Sequence, residues 1–161
     1  MEAFLILATA TIIYLIQAAV MDVKEKKIYS FPCIVLSILW SAYLIYSGER
    51  ELYFLVSFWM IHISILTFFN KYHLWGAGDS DILLLFANVF LSFTGNLNAY
   101  AVAFYECMGV IGALGISLLV GCMEYRIRHK EMKITGNVAV APGFSVIMSG
   151  LIAVMIGRCF W

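Results

Sequence analysis

Charged residues are scarce in this sequence. Only 12% of its 161 residues are Asp, Glu, Lys or Arg, whereas 63% are hydrophobic and the mean hydropathy is +0.94. A water-soluble domain of this length could not bury so much apolar surface, so the composition excludes a soluble protein and predicts an integral membrane protein. The formal net charge is zero, and we expect a lipid bilayer and no nucleic acid among the partners of the chain.

Paired cysteines and internal prolines are lacking too. The four cysteines lie in or beside apolar segments, without a CxxC pair or the spacing of a zinc site: Cys33, Cys107, Cys122 and Cys159. They therefore predict buried thiols and neither a disulfide framework nor a metal, and we expect no cofactor. The two prolines, Pro32 and Pro142, each fall near the start of an apolar segment, where a missing N–H costs little.

Apolar segments of nearly the length that crosses a bilayer recur along the chain. They fall at residues 3–21, 32–47, 52–69, 79–94, 99–121 and 138–158. We predict an all-α integral membrane protein with six transmembrane helices in a single domain, residues 1–161. The first segment lacks the basic start and the cleavage site of a signal peptide, so we interpret it as a span.

The basic residues predict the orientation. Eight of the ten lie on the first, third and fifth loops: Lys24, Lys26, Lys27, Lys71, Arg126, Arg128, Lys130 and Lys133. Because basic loops stay in the cytoplasm, these loops should be cytoplasmic and both termini outside. The segment from Gly76 to Asp81 then lies at the cytoplasmic face of the cell membrane.

Small residues recur every four positions in the last two segments. They are Gly109, Ala113, Ser117 and Gly121 in the fifth, and Ser145, Ser149, Ala153 and Gly157 in the sixth. Such faces let helices approach closely. We interpret them as packing surfaces within one bundle, with a homodimer through these faces as the alternative.

Two carboxylic acids are candidates for chemistry. Asp22 follows the first span, where a membrane helix ending in charged residues would account for it. Asp79 follows two glycines, where an N-cap or first-turn acid would account for it. Both, however, fall at the cytoplasmic ends of their helices and so share one depth.

Two carboxyl groups held close together share a proton, because both cannot ionise easily. One can then take a proton from water while the other protonates a peptide carbonyl. Gly76 and Gly78 would leave the backbone beside Asp79 open to an extended substrate. The pattern predicts aspartic peptide hydrolysis with Asp22 and Asp79 as the catalytic pair.

These motifs resemble a known family. The run Gly76-Ala77-Gly78-Asp79 matches the GxGD signature of membrane aspartyl peptidases, and Asp22, Lys24, Lys27 and Ile28 match the register of type IV prepilin peptidases and their archaeal preflagellin relatives. Ala141-Pro142-Gly143-Phe144 is similar to the proline motif of the family's last helix. The resemblance implies an endopeptidase that removes the short basic leader of pilin-like precursors, with Pro142 supporting the site.

The sequence departs from that family at three places. Tyr29 and Ser30 replace the usual Pro-Asn, and Asp81 stands where a lysine is usual, so that a third acid could bind the basic leader or influence the pair. The first loop is short, without the cysteine-bearing segment of full-length bacterial enzymes. We therefore expect a minimal peptidase without N-methyltransferase activity.

Two alternatives remain open at this point. A GxGD protease of presenilin or signal-peptide-peptidase type would carry Tyr-Asp and Pro-Ala-Leu motifs, which are absent here. A non-enzymatic transport or assembly component would not depend on both acids. Among the other polar residues of the spans, we expect Glu106 to be protonated or bonded to a neighbouring helix, His62 to be a bonded structural residue, and Asn88 to join helices.

Overall fold

A computed structural model describes residues 2–48, 50–72, 76–95, 97–129 and 138–160. Within these ranges the regular secondary structure is six α-helices, without a strand. They are α1 (Glu2–Glu25), α2 (Ser30–Ser47), α3 (Leu52–Lys71), α4 (Ala77–Thr94), α5 (Ala99–His129) and α6 (Ala141–Phe160). The prediction of an all-α architecture is confirmed for this part of the chain.

Five of the helices are long and apolar enough to cross a membrane: α1, α2, α3, α5 and α6. Their number and hydropathy support a membrane protein. The remaining helix, α4, has 18 residues and begins with two acids, Asp79 and Asp81.

Helix α4 lies at the centre of the bundle, in contact with α2, α3, α5 and α6. Side chains all around it are inaccessible or nearly inaccessible to solvent, among them Ile82 and Leu85 on one side and Ala87 and Leu91 on the other. A helix that is apolar on every face has to be covered on every face. Its neighbours therefore fix the position of its first turn, which carries Asp79.

Three helix ends differ from the predicted spans, and the differences place the polar residues. Helix α1 continues to Glu25, so Asp22 lies in its last turn. Helix α5 runs on to His129, which puts Glu124 on a helix rather than in a loop. Helix α6 begins only at Ala141. The predicted cytoplasmic Lys130 and Lys133 lie outside the described residues.

The small residues of α5 pack within the bundle, as predicted. A Cβ atom on Gly109 would lie 2.8 Å from the Phe86 ring of α4, and one on Gly121 would lie 3.1 Å from Val138. On α6 the Ser145 hydroxyl donates to the Leu15 carbonyl of α1 at 3.0 Å. A Cβ atom on Gly157 would meet no described atom within 4 Å, so a homodimer through this end of α6 stays a prediction.

Asn88 joins three helices, as predicted. Its Oδ1 accepts hydrogen bonds from the Ser41 hydroxyl of α2 at 3.2 Å and from the Trp59 indole of α3 at 2.9 Å. Its Nδ2 donates to the Leu84 carbonyl at 3.1 Å. The amide therefore satisfies polar groups on two neighbouring helices that would otherwise face apolar surroundings.

Candidate active site

Asp22 lies in the last turn of α1 and points at the start of α6. The residue is only 6% exposed. Its Oδ2 accepts a hydrogen bond from the Ala141 backbone N–H at 2.8 Å, and the backbone of Val140 also hydrogen bonds to the carboxyl group. The first N–H groups of a helix lack partners within the helix and carry its positive dipole end, so they favour a carboxylate at this place.

The start of α6 is held in place by α5. The Ser117 hydroxyl donates to the Val140 carbonyl at 2.8 Å and accepts from the Gly143 N–H at 3.0 Å. A Cβ atom on Gly143 would overlap the Ala113 carbonyl oxygen and the Ser117 hydroxyl. Only glycine therefore permits this approach, which directs the Ala141 N–H at Asp22.

Pro142 stands between these two donors. As the second residue of α6 it has no N–H, at a position where the helix offers no acceptor for one. Its fixed φ suits the first turn of a helix. Pro142 thus lies in the first turn of α6, next to the Ala141 N–H that bonds to Asp22, and its role in supporting the site stays a prediction.

Asp79 lies in the first turn of α4 and is half-buried. Its Oδ2 accepts a hydrogen bond from the Gly76 backbone N–H at 3.2 Å, and Gly76 is the N-cap residue of the helix. The side chain therefore caps its own helix, which is the structural role that the sequence offered for it.

Gly78 brings α4 against the connection between α1 and α2. A Cβ atom on Gly78 would lie 2.8 Å from the Ile28 Cβ and 3.1 Å from the Ile28 carbonyl oxygen. The expectation that this glycine leaves space for a substrate is wrong at this position, because Ile28 fills the space. The glycine instead lets the segment that follows Asp22 pack against the first turn of α4.

The two acids act on each other electrostatically. Burial raises the pKa of Asp79 above its ordinary range, the Gly76 N–H opposes that shift, and the Asp22 carboxylate adds to it. Asp79 precedes the apolar part of α4 and is outside the five apolar helices. The fold therefore brings together two acids that are 57 residues apart in the sequence, 22 to 79.

Asp81 faces a different part of the bundle. Its carboxylate is half-buried and acts electrostatically on Tyr14 of α1 and Cys33 of α2. Residues two positions apart on a helix point in nearly opposite directions. Tyr14 itself donates its hydroxyl to the Tyr29 carbonyl at 3.1 Å, which ties α1 to the start of α2.

An ion pair beside Asp22 was not anticipated from the sequence. The Lys26 Nζ lies 2.8 Å from the Glu124 Oε2 of α5, and both charges are within electrostatic range of the Asp22 carboxyl group. The basic residues of the first loop predict the orientation of the chain and give no partner for Lys26. The sequence signal that could have located the pair is Glu124 itself, an acid just before the basic residues of the fifth loop.

A second polar pair lies away from this site. His62 Nε2 and Glu106 Oε1 are 2.7 Å apart, and His62 Nδ1 lies 2.9 Å from the Phe58 carbonyl oxygen. Both side chains are nearly buried. The expectation that Glu106 is bonded to a neighbouring helix is confirmed, because it bonds to His62 of α3. His62 is a hydrogen-bonded residue, as predicted, with Glu106 and the Phe58 carbonyl as its partners.

The arrangement can support acid–base chemistry by two carboxyl groups. Each carboxyl group is oriented by a backbone N–H, from Ala141 or Gly76, and the Asp22 carboxylate lies within electrostatic range of Asp79. Among the described residues, no group of three or more His, Cys, Asp or Glu side chains could hold a metal ion.

Comparison with protein-family models, curated proteins and solved structures gave no match. The function proposed below is therefore inferred from the residues of the chain itself.

Proposed function

We propose that this protein is a membrane aspartic endopeptidase that removes the short basic leader of pilin-like precursors at the cytoplasmic face of the cell membrane. The observation that carries the proposal is that Asp22 and Asp79 lie at one end of the bundle, within electrostatic range of each other. A backbone N–H binds each of the two carboxyl groups. The resemblance of the surrounding motifs to type IV prepilin peptidases gives the substrate class.

In this mechanism the pair carries one proton. The ionised carboxyl group takes a proton from a water molecule, whose oxygen attacks the carbonyl carbon of the scissile peptide bond. The protonated carboxyl group donates its proton to the carbonyl oxygen. Transfer of a proton to the amide nitrogen then breaks the C–N bond and releases a carboxylic acid and an amine.

The proposal includes the topology of the bundle. All six helices cross the membrane, both termini lie outside, and the end of the bundle with Asp22 and Asp79 faces the cytoplasm. The contacts of Asp22 with the start of α6 and of Gly78 with Ile28 support the placement of these helix ends at one end of the bundle, and the basic residues of the loops support its cytoplasmic orientation. A precursor could then align its apolar helix beside the bundle while its leader passes the two acids.

Replacing each acid by asparagine tests the proposal. Asparagine keeps a carbonyl oxygen that can accept the Ala141 or Gly76 N–H, so capping is preserved while proton transfer is lost. We expect Asp22→Asn and Asp79→Asn each to slow cleavage of a precursor with a basic leader by about 1,000-fold in membranes. Cleavage is measured by mass spectrometry of both products, which should carry no added methyl group.

A matched control removes a different buried acid. Glu106→Gln changes a carboxyl group that is bonded to His62, and we expect it to retain most of the cleavage activity. Cleavage at the wild-type rate by either asparagine variant would overturn the catalytic pair. Absence of cleavage by the wild-type protein would overturn the substrate class.

A non-enzymatic membrane component is the second candidate, because each acid also serves as a helix cap. Asp22 caps α6 and Asp79 caps α4. A purely structural role predicts that both asparagine variants behave as the wild type, whereas alanine variants lose about 1 kcal/mol of stability through the lost cap. Thermal unfolding of the asparagine and alanine variants measures the contribution of each cap, and precursor cleavage by the asparagine variants separates the two candidates.

A further inference from the structure

The ion pair of Lys26 and Glu124 joins the end of α1 to the cytoplasmic end of α5. The Lys26 Nζ lies 2.8 Å from the Glu124 Oε2, and the side chains are 31% and 17% exposed. Both charges act on the Asp22 carboxyl group. A carboxylate that binds an ammonium group therefore lies beside one member of the candidate catalytic pair.

The backbone at Lys26 contributes to this placement. Its φ is 55°, in the left-handed region that residues other than glycine rarely adopt. The Lys26 N–H bonds to the Asp22 carbonyl at 3.0 Å. Because α1 ends just before Lys26, at Glu25, this conformation places the ammonium group against Glu124, next to Asp22.

Stability does not explain the pair well. Partly exposed ion pairs contribute between zero and about 1 kcal/mol, because water and salt screen them. An ammonium or guanidinium group from another chain could replace Lys26 at a correspondingly small cost. The contact with Lys26 thus shows that the Glu124 carboxylate can bind an ammonium group. Because the ion pair is weak, another cation could take the place of Lys26.

We propose that the Glu124 carboxylate is the subsite for a basic residue of the substrate's leader, and that Lys26 fills this subsite when no substrate is bound. The inference rests on the proposed function, which supplies a substrate with a basic leader. The exposed Lys24 and Lys27 of the same connection would repel such a leader. Glu124 compensates that repulsion at the place where the leader passes Asp22.

Asp81, the acid that the sequence suggested for this role, is placed less suitably. It acts on Tyr14 and Cys33, at the start of α2, where the Tyr14 hydroxyl donates to the Tyr29 carbonyl. Glu124, in contrast, acts on Asp22 itself. The structure therefore favours Glu124 for contact with a leader that crosses the catalytic pair.

Kinetics of Glu124→Gln with two precursors tests the subsite. For a precursor with a basic leader we expect KM to rise about fivefold with kcat nearly unchanged, the size expected for a partly exposed ion pair. For the same precursor with a neutral leader KM should not change. Added salt should raise the KM of the wild type for the basic leader, and less so that of Glu124→Gln.

Two further variants complete the design. Glu25→Gln removes an exposed acid next to Lys26 and should leave KM unchanged for both precursors. Lys26→Met removes the competing ammonium group and should lower KM for the basic leader. Lys26→Met also tests the subsite if Glu124→Gln does not fold. An unchanged or higher KM for the basic leader in Lys26→Met would contradict the exchange of Lys26 for a leader residue at Glu124.

The outcomes separate this inference from the proposed function. If the wild type cleaves the basic precursor but Glu124→Gln shows the same KM, or Glu25→Gln shows the same increase, the subsite is wrong and the peptidase stands. If the wild type cleaves no such precursor, the proposed function is overturned and the subsite with it.

Discussion

The end of the bundle that holds Asp22 and Asp79 and the interior of the bundle both contain buried or half-buried acids, but the two regions satisfy those acids differently. Asp22 and Asp79 accept hydrogen bonds from backbone N–H groups and act on each other. Glu106 is bonded to the side chain of His62, a group that can neutralise it. A carboxyl group held by backbone N–H groups near a second acid is suited to the proton exchange that we propose, whereas one bonded to histidine is suited to joining helices.

The helices around each region explain the difference. At the end of the bundle that holds Asp22 and Asp79, the backbones of neighbouring segments are in close contact. Gly143 of α6 packs on Ala113 of α5, and Gly78 of α4 packs on Ile28. In the interior, α3 makes its main helix contact with α4, and the bond between His62 and Glu106 reaches from α3 to α5. One region is therefore built by close packing of backbone, and the other by long polar side chains.

Breaking the close packing should have the largest effect. In Gly143→Ala the new methyl group overlaps the Ala113 carbonyl oxygen, so the start of α6 has to move away from α5 and from Asp22. We expect a loss of about 3 kcal/mol in stability, the upper part of the range for overpacking. Thermal unfolding in detergent measures it, and precursor cleavage should fall with it.

Gly150→Ala is the matched control on the same helix. A Cβ atom there meets no described atom within 4 Å, so the substitution should be neutral or slightly stabilising, as alanine is the better helix former. Equal unfolding temperatures for the two variants would show that α6 does not approach α5 as described.

Breaking the interior pair should cost less. Glu106→Leu leaves His62 without its partner in an apolar environment, and we expect a loss of about 1.5 kcal/mol, since polar contacts between membrane helices are individually modest. Replacing both residues by leucine should recover part of that loss, because no unpaired polar group remains. Thermal unfolding of the two single variants and the double variant gives the coupling energy.

The cycle also tests the contrast between the regions. We expect Glu106→Leu to retain cleavage in proportion to the folded fraction. Loss of cleavage with unchanged stability would instead place Glu106 in the active site, and the distinction drawn between the two kinds of acid would then fail.

Sequence alone predicted the helices, which are confirmed for the described residues, while the shared depth of the two acids in a membrane stays a prediction. The apolar segments sufficed for the helices and the basic residues for the predicted orientation, since both depend on local composition. The Ala141 N–H at Asp22, the Ile28 contact of Gly78 and the Glu124 partner of Lys26 could not be predicted. Each depends on which helix faces which in the bundle, and spacing along one chain does not encode that choice.

The smallest effect tests the coupling of the two acids directly. The Asp22 carboxylate favours the protonated form of Asp79, so Asp22→Asn should let Asp79 ionise at a lower pH. A carbodiimide labels protonated carboxyl groups, so labelling of Asp79 should persist to higher pH in the wild type than in Asp22→Asn. Mass spectrometry of the labelled peptide gives both midpoints.

Asp81→Asn is the control, because it removes an acid that points away from Asp79. It should shift the labelling midpoint of Asp79 less. Equal shifts of the Asp79 labelling midpoint in Asp22→Asn and Asp81→Asn would mean that Asp22 is no more strongly coupled to Asp79 than Asp81 is. Asp22 and Asp79 would then be two separate helix caps.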